Sequence, residues 1–407
     1  MAGPATRGVT APRILKPPPV RVASTGTSAT AIHSKLVSIL ATSTSASRSS
    51  AVDVTGLGQV LRQNADTAVL PASTEKLYTT LTALKVLGAY STLRTEVRAA
   101  HARQGSTQPG DLYLVGGGDA FLSSTQLDSL ANAVHASGIT RITGALVVDE
   151  SRYDAVRRGP GWKTAFVPED SGPLSALALD SNAWRTDSGY LNDPALPTLE
   201  RFRQLLLKHG VSVGTAHRHG RADSTTRLVA SVSSAPLQNR LRAMDKASNN
   251  FAAELLLKEI GLKVRGVGST SNGAAAVRST MSGLGVGYGT VMDGSGLSSG
   301  DRQTARDELS LLVASQASAV SSVMRAVLPV ACKDGTLVHR MCNTAAAGRA
   351  IAKTGTLPGT YALAGYTFTR DGNLVSFSFL LSKASSGDKA RAAIDACVVY
   401  LSGVQTG

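Results

Sequence analysis

Ser73 and Lys76 are the first residues of this chain whose types and spacing could do chemistry. Three positions apart on a helix, their side chains lie on one face, and the lysine amine reaches the serine hydroxyl. That hydroxyl is a weak nucleophile at neutral pH and needs a neighbouring base, which a lysine provides only where burial or nearby positive charge lowers its pKa. The spacing recurs at Ser386 and Lys389, so on its own Ser73 is better explained as a helix cap.

Two further polar motifs stand later in the chain. Ser248-Asn249-Asn250 precedes an apolar helical pattern and, alone, would be an ordinary N-cap. Lys353-Thr354-Gly355-Thr356 is predicted at the end of a strand, where the glycine lets a substrate backbone approach and the lysine and threonine can hold a carboxylate. Together the three motifs lie in the order helix, loop and strand.

This order resembles the motif set of β-lactamases and penicillin-binding proteins. About 170 residues lie between Lys76 and Ser248, far more than a class A β-lactamase places there. Over about residues 35–400 the chain is similar to the class C low-molecular-mass penicillin-binding proteins, the D-alanyl-D-alanine carboxypeptidase/endopeptidase family of bacterial cell walls. The stretches that carry this similarity beyond the three motifs are Pro71-Ala72, Tyr113-Leu114-Val115-Gly116-Gly117-Gly118-Asp119, Ile142-Thr143-Gly144 with Asp149, and Asp293-Gly294-Ser295-Gly296-Leu297-Ser298.

The resemblance implies a role for each motif residue. Ser73 would form the acyl-enzyme and Lys76 would activate it, while Lys353 would help to keep Lys76 neutral. Ser248 and Asn250 would relay a proton to the leaving D-alanine and orient the substrate amide. The residues implied in binding the substrate and its terminal carboxylate are Lys353, Thr354, Gly355, Thr356 and Leu357, and the backbone N–H groups of Ser73 and Thr356 would form the oxyanion hole.

Two positions near the expected pocket leave alternatives open. Asp149 either lines the pocket from an inserted domain or caps a turn, and Trp162 is either a pocket wall or ordinary packing. Some relatives place an arginine two residues after the leucine of the Asp-Gly-Ser-Gly-Leu segment, where this chain has Ser299, with Arg302 three further on. An amidated stem peptide is one substrate that would suit this difference.

The elements that must position these residues follow from hydrophobic periodicity and turn signals. We predict an α+β fold of the penicillin-binding/β-lactamase-like transpeptidase type, an antiparallel sheet flanked by helices, with mainly β/α subdomains inserted between the first two motifs. The predicted division is a flexible Pro/Ser/Thr-rich arm over 1–30, a core over 31–91 and 233–407, and an insert over 92–232. Predicted helices cover 31–40, 77–87, 200–209, 252–257 and 389–400, and predicted strands cover 51–54, 59–61, 112–115, 145–148, 350–353, 362–368 and 374–381. Asp371-Gly372 predicts a hairpin between the last two strands, and Gly116-Gly117-Gly118 predicts a tight turn.

Composition limits the classes of partner. The 407 residues contain 42 Lys and Arg against 28 Asp and Glu, a net charge of +14 that suits an anionic partner or simply general solubility. Nucleic acid is disfavoured because only 4% of residues are aromatic and no basic helix is visible. No apolar run is long enough to span a membrane. An apolar secretory signal is also missing. The resemblance to cell-wall enzymes implies an extracytoplasmic protein (periplasm or cell wall), and we therefore expect its signal or anchor to be absent from this chain.

Cysteine and histidine usage leaves little room for other chemistry. No cofactor or metal site is predicted, since no carboxylate stands at ligand spacing beside His217 and His219. Cys332 and Cys342 could close a small disulfide loop and leave Cys397 over, or all three could be buried thiols.

The leading hypothesis is a serine-type D-Ala-D-Ala carboxypeptidase that acts on peptidoglycan stem peptides through an acyl-serine and is blocked covalently by β-lactams. Cleavage of cross-links by the same site is included in it. A β-lactamase or esterase on the same core is the alternative enzyme, disfavoured by the long insert. A non-catalytic wall-binding or β-lactam-binding module is the alternative from another class, disfavoured by the complete set of motif residues.

Overall fold

The computed structural model describes residues 26–182 and 188–407. Most of the predicted arm lies outside the described residues, and the first helix begins at Ala29, inside the predicted arm, with Ser28 as its cap. The helices are α1 Ala29–Ala41, α2 Lys76–Val86, α3 Ser124–Ala136, α4 Phe166–Glu169, α5 Ser188–Asn192, α6 Ala195–Lys208, α7 Leu237–Ala247, α8 Asn250–Arg265, α9 Thr270–Gly283, α10 Ala305–Gln316, α11 Ser321–Val327 and α12 Gly387–Gly403. The strands are β1 Ser45–Val54, β2 Gly58–Gln63, β3 Arg94–Ala99, β4 Thr107–Gln108, β5 Leu112–Val115, β6 Arg141–Ile142, β7 Leu146–Asp149, β8 His217–His219, β9 Arg227–Ser233, β10 Ile351–Leu357, β11 Thr360–Phe368 and β12 Leu374–Ala384.

The first sheet has the order β10-β11-β12-β1-β2, and each neighbouring pair is antiparallel. Helices α1 and α12 cover one face, where Leu36, Phe377 and Ile394 share a buried core. A second buried core contains Tyr366 of this sheet together with residues of α2, α8 and α10 such as Leu81. This arrangement of an antiparallel sheet between helical layers confirms the predicted α+β fold.

The second sheet belongs to the segment 92–232, here called the insert, and its margin. Its strand order is β8-β7-β5-β3-β9, in which β5, β7 and β8 run parallel and β3 is antiparallel to both neighbours. Helices α3 and α6 pack on it and on each other through apolar side chains such as Leu127 and Phe202. The insert therefore has a hydrophobic core of its own.

Most predicted elements are present, with different ends. The Asp371-Gly372 turn joins β11 to β12 as predicted, with Gly372 at a φ of 94°. The helix predicted over 200–209 begins earlier, at Ala195, because Pro194 stands at its N-terminal boundary. The strand predicted over 350–353 continues to Leu357, where a two-residue turn with Gly359 at a φ of 75° starts the return strand. The third motif consequently lies inside β10 instead of at its end.

The tight turn predicted at Gly116-Gly117-Gly118 is wrong for the first two glycines. A Cβ atom on Gly116 would come within 2.6 Å of the Ala176 carbonyl carbon, and one on Gly117 within 2.1 Å of the Arg94 carbonyl oxygen. These glycines permit close backbone contacts at the end of β5. Only Gly118, at a φ of 79°, has the left-handed conformation that favours glycine.

Candidate active site

The turn that carries Ser73 sits between the first sheet and α2. Residues Ala72–Glu75 form a short 3₁₀ helix that continues into α2 at Lys76. In 3₁₀ geometry side chains three positions apart are nearly eclipsed. The Nζ atom of Lys76 lies 3.1 Å from the Ser73 hydroxyl, which is half-buried, whereas the lysine is fully buried. Helix and turn thus bring this predicted pair into hydrogen-bonding contact.

Lys76 is held by two further acceptors. Its Nζ donates to Asn250 Oδ1 at 2.7 Å and to the Ser295 carbonyl oxygen at 2.6 Å. Burial lowers the pKa of Lys76 to about 8, while the nearby carboxylates, of which Asp293 and Asp245 act most strongly, oppose that shift. Burial, one of the two expected causes, is therefore the main cause of the low pKa, whereas the help expected from Lys353 is not among the main contributions.

The second motif forms the junction between α7 and α8. Ser248 ends α7 in a left-handed conformation with a φ of 57°. The cap of α8 is Asn249, whose side chain accepts a hydrogen bond from the Ala252 N–H at 2.8 Å. Ser248 is thus not needed as a cap. The side-chain amide of Asn250 donates to the Asp170 carbonyl at 3.0 Å, so both ends of this amide are engaged.

Lys353 connects the third motif to the second. Its Nζ donates to Ser248 Oγ at 2.8 Å and to the Thr354 carbonyl at 2.9 Å. Burial holds the pKa of Lys353 well below its usual range; the positive charge of Lys76 lowers it further and Asp245 raises it. The repulsion between the two lysines therefore lowers the pKa of Lys353.

Gly355 lets β10 pack against the nucleophile turn. A Cβ atom there would lie 2.7 Å from the Pro71 carbonyl oxygen and 3.3 Å from the Ala72 Cβ. A real Cβ atom is essentially never found as close as 2.7 Å to such a neighbour, so only glycine fits at this position without a shift. The close approach that this glycine permits is to the Ser73 turn, and it brings the outer edge of β10 alongside the serine.

β10 lies at an edge of its sheet, so one row of its amides is not used in pairing with β11. The Ala352 N–H points outward and donates to the Pro329 carbonyl at 2.9 Å. Because alternate amides of a strand point the same way, those of Thr354 and Thr356 also face outward. The Thr354 hydroxyl donates to Thr336 Oγ1 at 2.8 Å, and the Thr356 side chain is exposed, followed by the half-buried Leu357.

Asp149 does not join this cluster. It is buried at the end of β7, where its carboxylate accepts hydrogen bonds from the N–H groups of Ser151 at 2.9 Å and Ala222 at 2.8 Å. It also lines a groove of about 810 Å³ that contains none of the motif residues. Of the two predicted alternatives, the turn-capping role describes these contacts.

Trp162 contacts the loop 293–302, which carries Ser299 and Arg302. The Trp162 indole is largely buried and donates to Asp293 Oδ2. Ser299 lies against the Gly161 carbonyl, 3.4 Å from its hydroxyl. The Arg302 guanidinium donates to the Ser299 carbonyl at 3.0 Å, and is thus folded back onto its own loop.

Sequence reasoning missed several buried acids around the two lysines. Asp245 accepts a hydrogen bond from Thr80 Oγ1 at 2.8 Å, and burial raises its pKa to about 7 against the opposing effect of Lys353. Glu308 accepts hydrogen bonds from Thr74 and Ser378 beneath the nucleophile turn. The sequence offered one signal, the position of Asp245 three residues before Ser248; nothing linked Glu308 to the site.

The fold brings cysteines together at one place and a histidine with two carboxylates at another. Cys332 and Cys342 form a disulfide with their Cα atoms 4.8 Å apart, and Cys397 is a buried thiol. His219, Glu150 and Asp193 come together at a spacing that would suit a cation. The Glu150 carboxylate is already paired with Arg157 at 2.5 Å, and His219 Nε2 donates to Asp193 Oδ2 at 2.7 Å, so contacts within the protein account for this group.

A buried lysine against a serine, a second lysine–serine pair beside it and an open strand edge define a serine acyl-transfer enzyme on a penicillin-binding/β-lactamase-like fold. The D-Ala-D-Ala carboxypeptidase 3 (S13) family matches residues 34–190 and 188–404. The chain belongs to this family, which confirms the predicted enzyme class, a serine-type D-Ala-D-Ala carboxypeptidase.

Individual relatives agree with the family. A D-alanyl-D-alanine carboxypeptidase from an Actinomadura species is 33% identical over 82% of this chain and 77% of its own length. Carboxypeptidase DacB of Mycolicibacterium smegmatis is 32% identical over 84% of this chain and 77% of its own length.

Solved structures share the fold. Penicillin-binding protein 4 of Haemophilus influenzae superimposes with a TM-score of 0.81 at 22% identity, over 90% of this chain and 98% of that one. A predatory peptidoglycan endopeptidase from Bdellovibrio bacteriovorus gives a TM-score of 0.56 at 19% identity, over 88% of this chain and 93% of that one. Among the helices in the two described ranges, none combines the length and the apolar character needed to cross a bilayer.

Proposed function

We propose that this enzyme removes the terminal D-alanine of peptidoglycan stem peptides through an ester on Ser73, with Lys76 as the base. The observation that carries the proposal is the contact of 3.1 Å between the Ser73 hydroxyl and a fully buried lysine whose pKa is lowered to about 8. A neutral lysine at this position is a competent base near neutral pH, where an ordinary surface lysine is not.

In the acylation step, Ser73 Oγ bonds to the carbonyl carbon of the penultimate D-alanine, and the proton of the Ser73 hydroxyl passes to Lys76 Nζ. The C–N bond then breaks, and the leaving amine takes a proton from the Ser248 hydroxyl. Lys353 stands 2.8 Å behind Ser248 and replaces that proton. The low pKa of Lys353 makes it a suitable acid for this transfer.

In the deacylation step, water attacks the acyl carbon and the ester bond to Ser73 breaks. The water proton returns through Ser248 to Lys353, and Lys76 gives its proton back to Ser73 Oγ. Both lysines thereby regain their starting states. The Asn250 amide, which bonds to Lys76 at 2.7 Å, keeps the base in place through both steps.

The outer edge of β10 is the proposed substrate-binding strand. Its outward amide at Thr356, together with the Ser73 amide in the 3₁₀ turn, would hold the oxyanion that develops in acylation, a contribution worth about 10²–10³ in rate for one donor. Lys353 and the hydroxyls of Thr354 and Thr356 would hold the terminal carboxylate, with Gly355 and Leu357 beside the peptide. An arriving carboxylate favours the charged form of Lys353, and that charge favours the neutral form of Lys76.

The same chemistry extends to cross-linked peptides and to β-lactams. A cross-link differs from the terminal D-alanine only in the amine that leaves, so we include DD-endopeptidase activity in the proposal. The Haemophilus influenzae protein has also been solved in complex with a β-lactam. We propose that this enzyme is acylated by β-lactams at Ser73, and that it works outside the cytoplasm, where its substrate is.

The test is D-alanine release from a synthetic stem peptide ending in D-Ala-D-Ala. We expect release by the wild-type enzyme and none by Ser73→Ala. The matched control is Ser386→Ala, which alters the second Ser-x-x-Lys spacing; there the hydroxyl only caps α12, accepting from the Lys389 N–H at 3.4 Å. Loss of release in the control as well, or release by Ser73→Ala, would contradict the proposal. Hydrolysis of penicillin without D-alanine release would favour a β-lactamase instead.

A further inference from the structure

The loop 293–298, here called the aspartate loop, is organised by a single carboxylate. Asp293 Oδ1 accepts hydrogen bonds from the N–H groups of Ser295 at 3.0 Å and Gly296 at 2.7 Å. Its Oδ2 accepts from the Ser295 hydroxyl and the Ser298 N–H, each at 3.0 Å, and from the Trp162 indole. Asp293 itself is fully buried. Five donors on one buried carboxylate fix the loop far more tightly than a turn requires.

The aspartate loop touches the catalytic residues at two points. The Ser295 carbonyl accepts a hydrogen bond from Lys76 Nζ at 2.6 Å. Gly296, with a φ of 82°, packs so closely on the nucleophile turn that a Cβ atom there would lie 1.9 Å from the Ala72 carbonyl oxygen. The loop therefore bears both on the proposed base and on the residue before the proposed nucleophile.

The contact with Ser295 decides which way the lone pair of Lys76 points. A neutral amine has two N–H donors and one lone pair. Asn250 Oδ1 and the Ser295 carbonyl are acceptors and take the two N–H groups. The lone pair is then left for the third neighbour, the Ser73 hydroxyl, which can donate to it. Without the Ser295 carbonyl, the amine could turn an N–H towards Ser73 and would no longer accept its proton.

We propose that Asp293 is a positioning residue for the acylation step: its carboxylate holds the Ser295 carbonyl in the place that aims the Lys76 lone pair at Ser73. This rests on the proposed role of Lys76 as base. Trp162, a residue of the insert, donates to the same carboxylate. The insert therefore reaches the catalytic lysine through one hydrogen-bonded chain.

Asp293→Asn tests the proposal, with the second-order rate of acylation by a fluorescent penicillin measured as a function of pH. The Asn side chain presents an NH₂ group to donors that need an acceptor, so the loop loses its anchor. We expect the plateau rate per active site to fall by about 10²-fold, the usual cost of misplacing a catalytic group by about 1 Å. The acid limb should also move to lower pH, because a carboxylate that raises the pKa of Lys76 is gone.

The other titratable groups that face Lys76 are retained in this variant. They are Asp245, Glu254 and Glu75, which raise its pKa, and Lys353. Loss of the Asp293 charge lowers the pKa of Glu254 and Glu75, which partly offsets the shift at Lys76. Counting active sites by the amount of bound penicillin separates positioning from folding. A purely structural role predicts fewer sites that react at the wild-type rate, and that result would overturn the proposal.

Asp301→Asn is the matched control. Burial and the neighbouring Asp293 charge raise the pKa of Asp301 to about 9, so it is protonated at neutral pH and asparagine is a close substitute. Its Oδ1 accepts from the Met292 N–H at 2.7 Å, and its carboxyl group hydrogen-bonds to the Asp293 carboxylate, a contact that the NH₂ group of asparagine can keep. We expect an acylation rate within about twofold of wild type, small against the effect expected at Asp293. A loss equal to that of Asp293→Asn would contradict a role specific to the loop.

Gly296→Ala provides a second variant that keeps the Asp293 charge. The new methyl group pushes the loop away from Ala72, so we expect a large fall in the plateau rate with the acid limb unmoved. A wild-type plateau in both Gly296→Ala and Asp293→Asn would overturn the inference while leaving the proposed function intact. If the wild-type enzyme itself is not acylated at Ser73, the proposed function fails instead.

Discussion

The catalytic core and the insert place their charges in opposite ways. Around the site the core buries Lys76, Lys353, Asp245, Asp293 and Glu308 completely. The insert keeps many of its charges near the surface and pairs them, as in Arg218 with Asp111 and Arg203 with Glu200. Burial shifts the pKa of the core groups by desolvation, whereas surface pairs change little in energy. Burial of these charges therefore lowers the stability of the core but provides the neutral lysine that the proposed reaction requires, whereas the insert has no part in that proton transfer.

The largest expected effect is that of removing the base from the core. Lys76→Met keeps the length and the apolar stem of the side chain but removes the amine. We expect acylation by penicillin to slow by about 10²–10⁴-fold, the usual contribution of a general base. Lys208→Met, on an exposed lysine of the insert, should leave the rate unchanged. Equal rates for Lys76→Met and wild type would remove the functional reason for the burial of this lysine.

The pH dependence of acylation sharpens the comparison. Lys76 must be neutral to accept a proton, and its pKa is lowered to about 8. The second-order rate constant should therefore rise about tenfold per pH unit below that value and level off above it. Stopped-flow acylation between about pH 6 and pH 10 measures this. A rate still rising tenfold per unit at the top of that range would indicate a lysine with an ordinary pKa.

The free energy of unfolding should depend on pH through Glu308, a buried acid of the core. Burial raises the pKa of Glu308 from 4.5 to about 7. A raised folded-state pKa means that its stabilisation is present below the unfolded value and is lost as pH rises towards the folded one. Relative to Glu308→Gln, the wild-type free energy of unfolding should fall between about pH 4.5 and pH 7, by an amount on the order of 3 kcal/mol. Parallel pH profiles in denaturant titrations would contradict this.

The smallest effect is expected for an ion pair of the insert. Arg203 pairs with Glu200 on α6 at 2.8 Å, with partly exposed side chains. Arg203→Gln should change the free energy of unfolding by less than about 1 kcal/mol and leave acylation unaffected. A loss of several kcal/mol would show that the insert also depends on its charges.

Local structure could be predicted well from the sequence, because turn residues and hydrophobic periodicity are local signals. The Asp371-Gly372 hairpin and the closing helix required nothing from distant parts of the chain. The motif residues were recognised by order alone, and Ser73, Lys76 and Asn250 do meet in space.

What the sequence could not predict depends on contacts between distant segments. β1 pairs with β12 across more than 300 residues, a pairing that no local pattern encodes. Asp293 was visible only as part of a similar stretch, and its five hydrogen bonds exist only in the folded loop. No sequence pattern linked His219 to Asp193 or Glu150, yet the fold brings both carboxylates to it.

The most direct test of the central claim is intact-protein mass spectrometry after incubation with benzylpenicillin. A single adduct is predicted on the wild-type enzyme and on the control Ser386→Ala, and none on Ser73→Ala. That result would establish Ser73 as the acylated residue. An adduct that persists in Ser73→Ala, or neither adduct nor turnover in the wild type, would contradict an acyl-enzyme at the Ser73–Lys76 pair.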